Sequence, residues 1–194
     1  RHFTERYPSV GFGWSVLGVA LRLQNKDALD AIRRAATLLP SDATAHSNLG
    51  DELQAIGRYE EAIDSYLTAI SIDDRIAEIH NNLANSQRAL RQMDRARAGY
   101  ATAIRLKPEL AEAHLNQGIL FNELGEFDLA EESLRSAIGI QPESAEAYIE
   151  LAATLKQTGR PAEAERICRT GLQIRPDMIA AYNNLAAILD DLGR

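Results

Sequence analysis

Residues 43–76 read ATAHSNLGDELQAIGRYEEAIDSYLTAISIDDRI, and most of the remaining chain repeats this stretch with substitutions. With Ala43 as position one, the fourth column holds His46, His80, His114, Tyr148 and Tyr182, each 34 residues after the last. The seventh column reads Leu49, Leu83, Gln117, Leu151 and Leu185, and the eighth Gly50, Ala84, Gly118, Ala152 and Ala186. Further columns hold Ala62, Ala96, Ala130 and Ala164, then Tyr66, Tyr100, Leu134 and Cys168, then Ala69, Ala103, Ala137 and Gly171. A period of this size means one small unit stacked on copies of itself.

Within the unit, Leu49, Leu53 and Ile56 make one apolar stripe at helical spacing, and Ala62, Ile63, Tyr66 and Ile70 make a second. Two amphipathic helices follow. Gly57, Gly125 and Gly159 can take the positive φ that ends the first helix, whereas Arg91 stands in that column once and predicts a less comfortable turn. Small residues in the recurring columns let helix axes approach to roughly 8–10 Å. Pro108, Pro142 and Pro176 close the second helix, with Asp74 in that column once.

This large-small-large pattern resembles the tetratricopeptide repeat family over nearly the whole chain. The resemblance implies an all-α fold, an alpha-alpha superhelix in which helix-turn-helix hairpins stack as a right-handed solenoid. The expected organisation is residues 1–8 as the end of a preceding repeat, 9–42 a first repeat with a shortened turn, then repeats at 43–76, 77–110, 111–144 and 145–178. Residues 179–194 form the first helix of a sixth. In the first repeat Trp14, Leu17, Gly18 and Leu21 fit the first-helix columns. Ala28, Ile32, Ala35 and Pro40 fit the second-helix columns if two residues are missing near Asn25-Lys26-Asp27. Phe3 to Pro8 read as the last turns of an earlier second helix. Both ends fall mid-pattern, so the sequence is expected to be a segment of a longer protein.

Of the 194 residues 45% are hydrophobic, spread periodically rather than in a run long enough to span a bilayer, and a cytoplasmic location is expected. A net charge of −7 disfavours nucleic acid or an anionic membrane as partner. Cys168, the single cysteine, shares a column with Tyr66 and Tyr100 and reads as a packing residue. His46, His80 and His114 sit on different repeats, roughly 10 Å apart, whereas metal ligands converge to about 2 Å from an ion. That column is instead read as a flat ring packed between the two helices of a unit. No phosphate loop, nucleophile elbow or HExxH motif occurs in the sequence. No catalytic residue, metal or cofactor is expected of this segment.

The sixth column reads Asn48, Asn82, Asn116, Glu150 and Asn184. Asparagine is a poor helix former, so repeating it suggests a repeated use. Its amide can satisfy a peptide N–H and C=O together. In the tetratricopeptide family this position points into the concave groove. The column resembles the asparagine ladder of the O-linked N-acetylglucosamine transferases, which implies backbone recognition of an extended substrate by Asn48, Asn82, Asn116 and Asn184. Glu150 interrupts the column, and Val16 replaces it in the first repeat. Neighbouring groove candidates are Asn81, Asp51, Asn85, Arg88 and Lys156, and Glu78, Glu112 and Glu146 add an acidic bias. The expected function is a protein–protein interaction scaffold that takes a neutral or basic extended peptide. The alternative is the substrate-recognition arm of a glycosyltransferase whose catalytic domain lies outside this chain. Alanine at Asn48, Asn82 and Asn116 is expected to leave melting unchanged or slightly raised. Leu185, Ile188, Leu189 and Leu192 on the final helix suggest self-association through that end.

Overall fold

The computed structural model describes residue 4, residues 6–24 and residues 26–194. The expectations for Phe3 and Glu5 in the opening turns, and for Asn25, fall outside the described residues. Among those described the fold is all-α, and the chain divides into two compact units, residues 1–99 and 100–194. In chain order the helices are α1 (Gly11–Leu23), α2 (Leu29–Leu38), α3 (Ala43–Ala55), α4 (Tyr59–Ile72), α5 (Ala77–Ala89), α6 (Met93–Leu106), α7 (Ala111–Leu124), α8 (Phe127–Ile140), α9 (Ala145–Gln157), α10 (Pro161–Ile174) and α11 (Ile179–Asp191).

In the first unit α1 pairs with α2 and α3 with α4, and α3 and α5 each pack on the second helix before them. The second unit repeats this with α7 on α8, α9 on α8 and α10, and α11 on α10. The column residues make the cores: Leu53, Tyr66, Ala69, Ile79 and Leu83 in the first, Leu134, Leu151, Leu155, Ile167 and Cys168 in the second. Cys168 is fully buried and its thiol donates to the Ala181 carbonyl at 3.3 Å, while burial pushes its pKa up. It is a packing residue.

The first helices α3, α5, α7 and α9 end in the same way. The Gly57 N–H donates to the Gln54 carbonyl and the Arg58 N–H to that of Leu53, which satisfies two otherwise orphaned carbonyls. The same pair of bonds recurs at Gly125 and Glu126, at Gly159 and Arg160, and at Arg91 and Gln92. Arg91 therefore adopts the glycine geometry with φ 59°, against 77° at Gly57.

The fourth column has a role that the sequence reading missed. The His46, His80 and His114 Nε2 atoms lie 3.3, 2.8 and 2.9 Å from the carbonyl oxygens of Pro40, Asp74 and Pro108, each six residues back. A carbonyl only accepts, so Nε2 carries the proton in each ring. Trp14 Nε1 reaches the Pro8 carbonyl at 2.9 Å by the same six-residue step. In these four units a ring with a donor at its tip straps the incoming loop to the helix it feeds.

Close approach sets the small columns. A Cβ on Gly50 would sit 2.5 Å from the Tyr66 ring, and one on Gly118 2.6 Å from Leu134 Cγ. Ala84 fits because Gly99 faces it, where any Cβ would come within 2.8 Å of the alanine methyl. On the second-helix face of the second unit, Arg135 and Arg160 each bridge Glu131 and Glu163, at 2.6–2.9 Å. Burial works against the Glu131 anion, but hydrogen bonds from both arginines outweigh it and hold the carboxyl below the usual range. The same guanidinium bonds lower Glu163.

Candidate peptide-binding face

Positions 2, 6, 9 and 13 of each first helix lie one or two turns apart and share a face. In α3 they are Thr44, Asn48, Asp51 and Ala55, and in α5 Glu78, Asn82, Asn85 and Ala89; the outer pair is exposed and the inner pair half-buried in both. In the second unit Asn116, Glu150 and Asn184 are likewise half-buried on α7, α9 and α11. Neither lysine nor arginine occupies these four columns in α3, α5, α7, α9 or α11, while Asp51, Glu78, Glu112, Glu123, Glu146, Glu150 and Asp191 do. The face offers amides and carboxylates.

Asn82 is bonded into the protein on both sides. Its Nδ2 donates to Asp51 Oδ1 at 3.0 Å, and its Oδ1 accepts from Asn81 Nδ2 at 3.2 Å. The buried Tyr66 hydroxyl donates to the same Asp51 oxygen at 2.8 Å. Desolvation first, then the Asp51 charge and hydrogen bond, drive the phenol pKa far above its ordinary value, so it stays a donor. Asp51 and Asn82 therefore join α3, α4 and α5, which corrects the picture of a column of amides serving a ligand alone.

The fifth column is also corrected. Asn81 is 1% exposed, Leu115 and Ile149 are buried, and Ser47 is half-buried, because this column turns from the open face into the packing between helices. Asn81 is a packing residue with a bonded amide, not a groove contact. Arg88 and Lys156, in the twelfth column, are half-buried, and Lys156 Nζ pairs with Asp191 at 3.3 Å.

One set of polar residues escaped the sequence reading. The Ser86 hydroxyl donates to Gln54 Oε1 at 2.8 Å, and that of Thr154 to Asn122 Oδ1 at 2.9 Å. Both pairs span 32 residues, joining column twelve of one repeat to column ten of the next. Ser86 and Thr154 are fully buried, where a hydroxyl without a partner is costly, and Thr154 also has the carbonyl of Glu150 at 2.9 Å. The readable signal was pairwise: a hydroxyl in column ten follows an amide in column twelve, whereas Leu120 and Ile188 follow the cations Arg88 and Lys156.

Antiparallel hairpins of two amphipathic helices, repeated with one turn geometry and presenting the first helix of each, define a helical-repeat protein. Profiles described as tetratricopeptide repeat match residues 81–145 and 121–194, and one described as TPR repeat matches residues 50–90. The chain belongs to the tetratricopeptide repeat family, whose members generally act as non-catalytic protein–protein interaction scaffolds. Among solved structures, a thermophilic TPR protein of Thermus thermophilus is 25% identical, with 93% of this chain and 99% of that one covered and a TM-score of 0.77. PilW, a widely conserved type IV pilus biogenesis factor, is 24% identical, with coverage of 95% and 86% and a TM-score of 0.86. YrrB, described as a TPR protein with an unusual peptide-binding site, is 20% identical, with coverage of 94% and 95% and a TM-score of 0.70. A search of curated proteins gives no match. Among the described residues no helix is long and apolar enough to cross a membrane.

Proposed function

We propose that the first-helix face of each unit binds an extended, neutral or basic segment of a partner protein, holding its backbone through the sixth-column amides. The observation that carries this reading is the half-buried side chain at that position, in α3 and α5 of the first unit and in α7, α9 and α11 of the second, four times Asn and once Glu, in columns 2, 6, 9 and 13 that hold no lysine or arginine. A half-buried amide keeps part of its surface within reach of a ligand. Such an amide can donate to a peptide carbonyl and accept from a peptide N–H whatever the side chain between them. Hairpins spaced roughly 10 Å apart would meet an extended strand about every third residue. The carboxylates around the amides favour lysine and arginine in the ligand and disfavour acidic segments.

Selection of binders from a random peptide display library, followed by stepwise backbone N-methylation of the best binder, tests the reading. Binding is expected to fall when single backbone amides are methylated and when Asn48 is changed to Ala together with Asn82→Ala. Binders that tolerate methylation at every position, or that bind the double variant equally well, would show that the amides do not read the backbone.

A further inference from the structure

The stripe formed by positions 2, 6, 9 and 13 changes character in the first hairpin. On α1 these positions are Phe12, Val16, Val19 and Leu23. They are 71%, 52%, 36% and 81% exposed, while Gly13 on the opposite side is buried as its column-mates Ala45, Ile79, Ala113, Ala147 and Ala181 are. The alignment is therefore structural as well as sequential, and the face that elsewhere carries amides and acids is here wholly apolar. Phe12, Ser15, Val16, Val19, Ala20 and Leu23 form one open surface along α1. A contiguous exposed patch of one phenyl and three branched aliphatic side chains is not an ordinary solvated helix face.

Two observations say what would cover it. The stripe borders the amide face, because Ser15, Val19 and Arg22 of α1 pack beside Asn48 of α3 over the buried Ile32, Ala35 and Ala45. The next stripes then bring carboxylates, Asp51 on α3 and Glu78 on α5, with no cation in the same columns. The order along the first unit is apolar, amide, acid. We infer that α1 is an anchor site for apolar side chains, and that the partner segment is one in which a pair of bulky apolar residues adjoins a basic, extended stretch. This rests on the proposed backbone-binding role of the neighbouring amides and adds the sequence chemistry of the segment. Amides that read only backbone give little discrimination, so the apolar stripe and the acids supply the specificity, the first by burial and the second by charge.

The test pans the whole chain against a displayed library of random peptides about a dozen residues long, enough at roughly 3.3 Å per residue to cross more than one hairpin. The best peptide is then measured against a Val16→Asn, Leu23→Gln variant, both sites being exposed enough to change without unfolding the hairpin, and separately against Asn48→Ala. Enriched peptides are expected to share two adjacent or alternate bulky apolar residues beside lysine or arginine, and to bind the α1 variant about tenfold or more weakly, as loss of several buried methylenes requires. Enriched peptides without apolar anchors, or with unchanged affinity for the α1 variant, overturn the inference; if Asn48→Ala still weakens them, the amide reading survives alone. Weakening by the α1 variant without any effect of Asn48→Ala or of backbone methylation sustains the anchor and sinks the amide reading. A library without binders counts against both. A chain that self-associates in sedimentation, and ceases to in the α1 variant, shows a second copy on the stripe and also overturns the inference.

Discussion

Asn82 Nδ2 donates to Asp51 Oδ1 across 3.0 Å, so the first helices of two successive hairpins are held by an amide–carboxylate bond. The carboxylate oxygen also serves the buried Tyr66 hydroxyl. Removing the amide leaves a half-buried anion with one donor fewer, and hydrogen bonds to charged groups contribute about 1.5–3 kcal/mol. Asn82→Ala is therefore expected to lower unfolding free energy by roughly 1–2 kcal/mol, whereas Asn48→Ala stays within about 0.5 kcal/mol. Urea denaturation followed by circular dichroism separates the two; equal midpoints would mean that the bond adds nothing. The sequence-based expectation of unchanged or raised melting on removing the asparagines is replaced for Asn82.

Gly50→Ala is expected to destabilise, although Ala84, Ala152 and Ala186 occupy the same column. Helix propensity favours alanine by about 1 kcal/mol. Against it, the new methyl carbon falls 2.5 Å from a Tyr66 ring that is fully buried and tethered to Asp51, so the ring cannot swing aside. Overpacking costs about 1–3 kcal/mol, and a net loss is the outcome. Thermal melting at or above the parent value would show that the ring gives way.

Arg91→Gly is expected to stabilise. Arg91 holds φ 59° in a turn whose equivalents are Gly57, Gly125 and Gly159, and an L side chain in this left-handed region costs about 1–2 kcal/mol. Relief of that cost is partly offset by the greater freedom of glycine in the unfolded chain, leaving a gain of under about 1 kcal/mol. A lower denaturation midpoint for the variant would show that the arginine side chain contributes more than its backbone costs.

Acid should weaken the second unit through Glu131 and Glu163. Both carboxyls titrate below their ordinary range in the folded chain because Arg135 and Arg160 bond them. A depressed folded pKa means that the unfolded chain takes up the proton first, so the stabilisation is present above the unfolded value of about 4.3 and is lost as pH falls through the folded values. Melting temperature is expected to drop below about pH 4, and Arg160→Gln should flatten that drop. A parallel acid limb in parent and variant would remove the charge network from the account. The carboxylates are half-buried but both arginines are exposed, so salt should blunt the effect as well.

The fold was legible because its signals are local and recur: the spacing of Leu49, Leu53 and Ala62, and the turn glycine at 57 with its later counterparts, are fixed by helix geometry in every copy. The candidate face was legible in part. Helical periodicity placed Asn48, Asn82 and Asp51 on one side of their helices, but it could not tell that side from the adjacent column, where Asn81 turns into the packing. Nor does any single column announce a bond between repeats. Gln54 and Ser86 each look like an ordinary polar surface residue until the 32-residue step brings them together. The fourth column misled in another way: shared ring shape concealed the shared N–H of Trp14, His46, His80 and His114, whose acceptor is a backbone carbonyl that no residue type encodes.

The clasps between Gln54 and Ser86 and between Asn122 and Thr154 carry a consequence for how such a chain can be rebuilt. Each binds a repeat to one particular successor, because the buried hydroxyl is answered by an amide that the preceding repeat supplies. The hairpins are not interchangeable beads: moving residues 145–178 to follow 77–110 would part the Thr154 hydroxyl from the Asn122 amide and put Arg88 in the amide's column. Shuffled or shortened versions of this array must carry their junction partners with them.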